Sequence, residues 1–503
     1  MTVKTARFAL LALTLACGDD PAAGSDTSAV STAGPVTTSS ATTAESDTHD
    51  ASTGVTSDGT SSSGSDSSVT TDADTTDPDT TDATTVEPTS DPTDPGTTEQ
   101  PDWGCFPENL LEATLSGTVW APNGVIPVSG ALVYVTEVKP DPIPQKVYCA
   151  ECLELSCAQY HTFTEADGTF TLKSPAADAK YLVVQKGQFM RVTELDIAAG
   201  ETPLDAALTT LPDHNDPAAD LYIPRIAIAD GAFDRLEDAF GKFGLGDTTI
   251  DGFEERLVPG TEPFDLWENG EDPEYEGFVS KGSFAQLVAN YPLMEQYHAI
   301  FVPCSDNSYN DIISDPQVQQ NIHDWVEAGG RWYVADWSND WIRDVFPQYQ
   351  TFETDFGDPD LFSYDSLGNV LDDGLLAWLE ALPDPLKDIN PLNDEEHPTL
   401  FTLPQVETVD NWSALQSIAP VLVDDGMGGM VDVGHKIWIE GPHEGQNLQP
   451  LTVTGQYGCG KIQFTTYHAA EFFDYVGLSP QELVLFYTIL EIGVCQVDLP
   501  VPQ

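Results

Sequence analysis

The spacing of apolar residues changes character three times along this chain. Residues 8–16 are almost all apolar, yet far fewer than the roughly 20 that span a bilayer. Residues 18–102 then carry almost no large apolar side chain. From 115 to 208 short runs alternate apolar and polar, the period of strands buried on one face. Runs 115–120, 127–135 and 181–184 read as strands. Residues 163–172 read as a hairpin, with Asp167-Gly168 supplying the positive-φ positions of its turn.

Past Tyr222 the apolar runs become continuous. Residues 223–229 and 297–303 read as buried strands, and Phe233, Leu236, Phe240 and Phe243 share one helical face. A helix over 316–328 stops at Gly329-Gly330 and leads into a strand over 331–335. Residues 451–454 and 461–467 predict a hairpin around Gly458-Cys459-Gly460, followed by a helix over 480–492. Apolar strands alternating with amphipathic helices predict a mainly parallel sheet flanked by helices. Residues 345–435 are acidic, Pro-rich and irregular, and read as an insertion with one helix near 374–381. The expected architecture is multidomain: a leader over 1–17, a disordered tether over 18–104, a small β-sandwich over 105–212, and an α/β domain over 218–498.

Charge sharpens this picture. The 503-residue chain carries a net −65. Setting aside the 18 acids of residues 18–102 and the cations Lys4 and Arg7 leaves −49 for residues 103–503. Such a surface repels phosphate backbones, so nucleic acid is not an expected partner. Divalent cations would be attracted without specificity, and no calcium loop of the Asp-x-Asp-x-Asp-Gly type is present. Self-repulsion and the lack of apolar side chains keep 18–104 from folding. No cofactor motif is found, and no cofactor is expected.

The run Thr14-Leu15-Ala16-Cys17, after Lys4, Arg7 and the apolar stretch, resembles a bacterial lipoprotein lipobox. The resemblance implies cleavage before Cys17 and its diacylation, so that the membrane is a partner through lipid. It places the protein in the cell envelope, and Gly18 after the lipid cysteine favours the outer membrane of a Gram-negative bacterium. The usual pattern has Leu three before the Cys; here Leu13 and Leu15 stand at four and two.

The strand pattern SGTV…PVSGALVYV…TEADGTFTL…YLVV resembles the carboxypeptidase regulatory-like domain, a transthyretin-like β-sandwich without catalytic residues of its own. An insertion between Val138 and Thr162, holding three cysteines, departs from it. The segments HAIFVPC…VQQNIHDWVEAGGRWYVADW and GCGKIQFTTYHAAEF resemble the class I glutamine amidotransferase-like fold, which includes trehalose-utilisation-like proteins. That resemblance implies a nucleophilic Cys in the turn after the 331–335 strand. This chain has Asp336-Trp337-Ser338-Asn339 there, with no flanking glycines, and His468-Ala469-Ala470-Glu471 where the amidotransferases have His-x-Glu. A nucleophile elbow needs small neighbours because its backbone is strained. Glutaminase chemistry is therefore not expected.

The remaining candidates each have a plainer alternative. Cys304 follows an apolar strand at the edge where α/β sheets place ligands, and His468 would make it a thiolate–imidazolium pair; otherwise it is a small core residue. Ser338 with His468 and Asp336 mimics a hydrolase triad without a Gly-x-Ser-x-Gly turn. Cys149, Cys152, Cys157 and His161 have a spacing that suits zinc, but export favours disulfides among these cysteines and Cys105. Cys459 and Cys495 are expected to pair, tying the hairpin to the last helix and leaving Cys304 over. Trp325, Trp332, Tyr333, Trp337 and Trp341 form either a carbohydrate platform or ordinary core.

The function expected from these readings is a cell-surface lipoprotein that binds or scaffolds, with a surface protein or carbohydrate as ligand. The alternative is an extracytoplasmic hydrolase drawing on Cys304, Asp336, Ser338, His468 and Glu471.

Overall fold

A computed structural model describes residues 110–150, 160–230, 233–252, 254–269, 277–305, 310–353, 360–387, 399–443, 447–470, 475–493 and 499–502. The leader and tether lie outside these residues. So do Cys17, Cys105, Cys152, Cys157, Glu471 and Cys495. The described chain is β-rich, with several sheets and few helices.

Period-two alternation builds the first part. Thr169–Ser174 buries every second residue and pairs antiparallel with Ala113–Thr118, which Gly200–Pro203 flanks in parallel. A second, antiparallel sheet runs in the order Tyr160–Phe163, Leu132–Thr136, Ala177–Lys186, Phe189–Ile197, Leu221–Tyr222. Leu115 and Leu172 from one sheet share a core with Val133, Val135, Leu182 and Val184 from the other, so the two inner faces pack together. The expected 163–172 hairpin is not one. Its two arms pair into different sheets, and the turn carries the chain from one sheet to the other. Gly168, at φ +75°, makes this turn: its N–H donates to the Glu165 carbonyl at 2.9 Å, and a Cβ there would lie 2.9 Å from the Val119 carbonyl.

The second part is one nine-stranded mixed sheet. Its parallel half runs Asp265–Glu268, Ile226–Asp230, Ala299–Val302, Arg331–Ala335, Gly460–Thr465. Leu448–Tyr457, Lys436–Pro442, Asp360–Val370 and Gln405–Ser413 continue it antiparallel. Alternate residues of one strand enter different cores: Ile226 and Ile228 face one, Ala227 and Ala229 the other. Both faces are covered, which is why these strands read as continuous apolar runs. The helices Leu236–Lys242 and Pro480–Ile492 contribute to one core, and Phe284–Val288 and Pro316–Glu327 to the other. The acidic region is more than an insertion with one helix. It contains Asp373–Ala381 as expected, but also the two outermost strands of the sheet.

The two parts are tightly joined. The described residues fall in one compact unit. His298 is buried between them; its Nδ1 accepts from the Arg225 N–H at 2.7 Å and its Nε2 donates to the Pro144 carbonyl at 2.8 Å. Trp378 Nε1 donates to the Pro127 carbonyl at 2.8 Å, and Lys186 pairs with Glu491.

A disulfide adds a covalent tie, and it corrects the expected pairing. Cys459 bonds to Cys149, not to Cys495, with Cα atoms 5.4 Å apart. The hairpin turn packs on the end of the Pro316–Glu327 helix, where a Cβ on Gly458 or Gly460 would strike Glu327 or Val326. Gly329 in the same place lies against Tyr148, so the chain at 148–149 meets the turn directly. With Cys149 in this bridge, the zinc set Cys149, Cys152, Cys157, His161 lacks one of its ligands.

Candidate functional site

Parallel register is what gathers the candidate residues. Val302 lies beside Val334, and Ala335 beside Thr465. The chain leaves these three adjacent strands at one edge of the sheet. Cys304, Asp336 and His468 each follow one of them within a few residues. Cys304 Sγ, a carboxylate oxygen of Asp336 and a ring nitrogen of His468 lie within 4.8 Å of one another. His468 Nε2 is 3.1 Å from Asp336 Oδ2. Cys304 is outside any disulfide and is 0% exposed, with Asp336 at 0% and His468 at 1%.

Asp336 occupies the strand-to-helix turn at φ +49°, in the left-handed region. Apart from Gly, Asp and Asn are the residues that enter this region most readily. The turn after the Arg331–Ala335 strand thus holds a left-handed residue without a glycine, and that residue is a carboxylate. Both carboxylate oxygens accept from the Trp412 N–H, at 3.0 and 3.2 Å. Trp337 Nε1 donates to the Trp412 carbonyl at 3.2 Å. The Ser338 hydroxyl donates its proton to the Pro303 carbonyl at 2.7 Å and so does not offer it to His468. The Ser338 triad is therefore not assembled.

His468 is held by groups that sequence reasoning missed. Asp234, buried just before the Leu236–Lys242 helix, accepts from the Ala469 and Ala470 N–H groups at 3.1 and 2.8 Å. Gln481 Nε2 donates to the His468 carbonyl at 2.5 Å. Asn411 accepts from the Thr466 hydroxyl at 2.8 Å and donates to the Tyr364 carbonyl at 3.0 Å. None of these stands in a motif. Only the position of Asp234, four residues beyond a strand ending at Asp230, offered a signal.

Next to this edge lies a buried acidic group. Burial, reinforced by the Asp238 and Glu268 carboxylates, raises the Asp230 pKa to about 7. Glu237 is driven well above the usual carboxylate range, first by burial and then by Asp230 and Asp238. Asp238 is also raised by burial, although Arg235 pairs with it.

The aromatic run is core. Trp325, Trp332, Tyr333 and Trp341 are fully buried, and Trp332 meets Trp325 and Trp341 at ring distances of 6.2 and 6.4 Å. Only Trp337 keeps partial exposure, so these residues do not form a sugar platform.

No protein-family model matches the chain, and no curated protein matches it. Among solved structures it is similar to the cytoplasmic protein STM1381 from Salmonella typhimurium LT2, at 13% identity, over 54% of this chain and 98% of that one, with a TM-score of 0.27. It is also similar to the cytoplasmic protein STM3548 from Salmonella typhimurium, at 10% identity, over 55% and 100% of the two chains, TM-score 0.25. A cold-adapted β-galactosidase from Rahnella sp. R3 matches at 10% identity, over 59% of this chain and 35% of that one, TM-score 0.23. At such scores these likenesses carry no argument about fold or activity.

Proposed function

We propose that this is a lipid-anchored protein of the bacterial outer membrane. Cys17 carries the lipid, residues 18–104 hold the folded part away from the bilayer, and that part binds a partner without transforming it. The observation that carries the non-catalytic reading is the enclosure of every described nucleophile candidate: Cys304 and Asp336 are 0% exposed and Ser338 is 2% exposed. A substrate carbonyl must come within about 3.5 Å of its nucleophile, and these side chains are sealed. The two-sheet first part supports the carboxypeptidase regulatory-like resemblance, and the half-parallel sheet supports the amidotransferase-like one. The ligand belongs to the surface, as a protein or a carbohydrate.

Palmitate labelling of the expressing cells tests the anchor. Label is expected on the wild-type chain and none on Cys17→Ala; label retained by the variant refutes the assignment.

The meeting of Cys304, Asp336 and His468 favours a second reading, a thiol hydrolase at the same edge. Iodoacetamide applied to the folded protein separates the two. The binding reading expects Cys304 to stay unmodified. Fast labelling that His468→Gln abolishes would establish the hydrolase instead.

A further inference from the structure

The geometry points to a transition-metal site formed by Cys304, Asp336 and His468. This goes beyond the surface-binding reading above and rests only on its non-catalytic part, because it takes the buried cluster as a place that holds an ion and does no chemistry.

Three different donor types converge here from three strand ends. Sulfur, carboxylate oxygen and imidazole nitrogen all lie within 4.8 Å of one another, and His468 Nε2 and Asp336 Oδ2, at 3.1 Å, stand near the separation of two donors on one zinc ion, so a small inward movement of the ligand atoms completes the set. Zinc bonds to sulfur are about 2.3 Å long, and those to nitrogen and oxygen about 2.0–2.2 Å. A mixed S/N/O set selects a borderline ion such as Zn²⁺ over Ca²⁺ or Mg²⁺, which take oxygen ligands.

Charge agrees with this assignment. A thiolate, a carboxylate and a neutral imidazole sum to the charge that one divalent cation cancels, which removes the cost of burying two anions together.

The surroundings hold the ligands in place, as metal sites require. Asp336 is fixed by the Trp412 N–H at 3.0 and 3.2 Å. The turn bearing His468 is fixed by Asp234 and Gln481. Cys304 is buried where the neighbouring Ser305 hydroxyl bonds to the Asn269 carbonyl. Binding forms one metal–sulfur bond and releases the thiol proton to solvent; no electron is transferred.

The test uses the full chain, stripped with a chelator and reloaded with Co²⁺ in excess Ca²⁺, which occupies the acidic surface without competing for sulfur. One bound cobalt per chain is expected, with a thiolate-to-cobalt charge-transfer band in the near ultraviolet. Cys304→Ser should lose the band, and His468→Gln should lose more than the roughly 100-fold in affinity that outer-shell partners are worth. Asp230→Asn, in the neighbouring acidic group, should keep both band and stoichiometry. The wild-type chain provides a check independent of folding in the variants, since Zn²⁺ should displace the cobalt band stoichiometrically. Absence of the band in the wild type, or its persistence in Cys304→Ser, overturns the site. Loss of metal with palmitate labelling intact removes this inference alone; loss of labelling with the band intact removes the anchor alone.

Discussion

The backbone N–H of Trp412 donates to both carboxylate oxygens of Asp336, at 3.0 and 3.2 Å. The outermost strand of the sheet thereby reaches the turn that follows a central one, and a residue in the left-handed region is held by a partner 76 positions away.

Asp336→Ala should be strongly destabilising. It removes the bifurcated hydrogen bond from the Trp412 N–H to a charged group, worth about 1.5–3 kcal/mol, and replaces a residue that enters the left-handed region readily by one that does not. Asp336→Asn keeps an acceptor and tolerates the backbone, so it should cost less than half as much. Urea midpoints for the two variants check the order; equal losses would contradict it.

The 149–459 bridge closes a segment of 310 residues. Chain-entropy reasoning assigns such a loop up to roughly 5 kcal/mol, so Cys149→Ser should lower the melting temperature markedly. Peptide mapping without reductant should recover Cys149 linked to Cys459. Recovery of Cys459 linked to Cys495 would contradict the bridge described here.

Burial lowers the His298 pKa from 6.5 to about 4. A depressed folded pKa stabilises the protein fully above pH 6.5, and the contribution is lost as pH falls toward 4, by up to about 3 kcal/mol. His298→Gln should cost several-fold more stability at pH 7.5 than at pH 4.5, as read from urea unfolding at both.

Asp230 works in the opposite sense. Its pKa, raised from 3.8 to about 7, favours the folded state at low pH, and that advantage disappears as pH rises from about 4 through 7. Asp230→Asn should therefore raise the urea midpoint at pH 8 and leave it nearly unchanged at pH 4. A larger gain at pH 4 would contradict the assignment.

Lys242 Nζ lies 2.9 Å from Glu482, and both are buried. Removing one partner strands the other, so Lys242→Met should cost about 3–5 kcal/mol, while Lys242→Met with Glu482→Leu should recover only part of it, because Glu482 also accepts from the Ser479 N–H at 2.6 Å. Denaturant unfolding of the single and double variants decides.

How much was legible depended on how local the signal was. The last helix runs Pro480–Ile492 as expected, because Ser479 and Glu482 form a capping box around Pro480. The Arg331–Ala335 strand was marked by Gly329-Gly330 before it and by its unbroken apolar run. The strands Asp360–Val370 and Gln405–Ser413, at the antiparallel end of the sheet, escaped notice because their sequences DLFSYDSLGNV and QVETVDNWS are half polar and show no apolar run. Cys304, Asp336 and His468 were each named from the sequence, but their convergence follows from strand order, which apolar spacing does not encode. The positive φ of Asp336 had no local sign, because no glycine flanks it and an aspartate enters the left-handed region without altering the apolar pattern.

The Gly460–Thr465 strand sits beside Arg331–Ala335 at the middle of the sheet, though it is made last. A growing polypeptide emerging from its ribosome cannot complete this sheet piecemeal: more than a hundred residues must wait, unsheltered, for their central neighbour. Acquisition of the native state is thus deferred until residue 465 has emerged, and a stop codon before residue 460 leaves a gap at the centre and not a shortened edge.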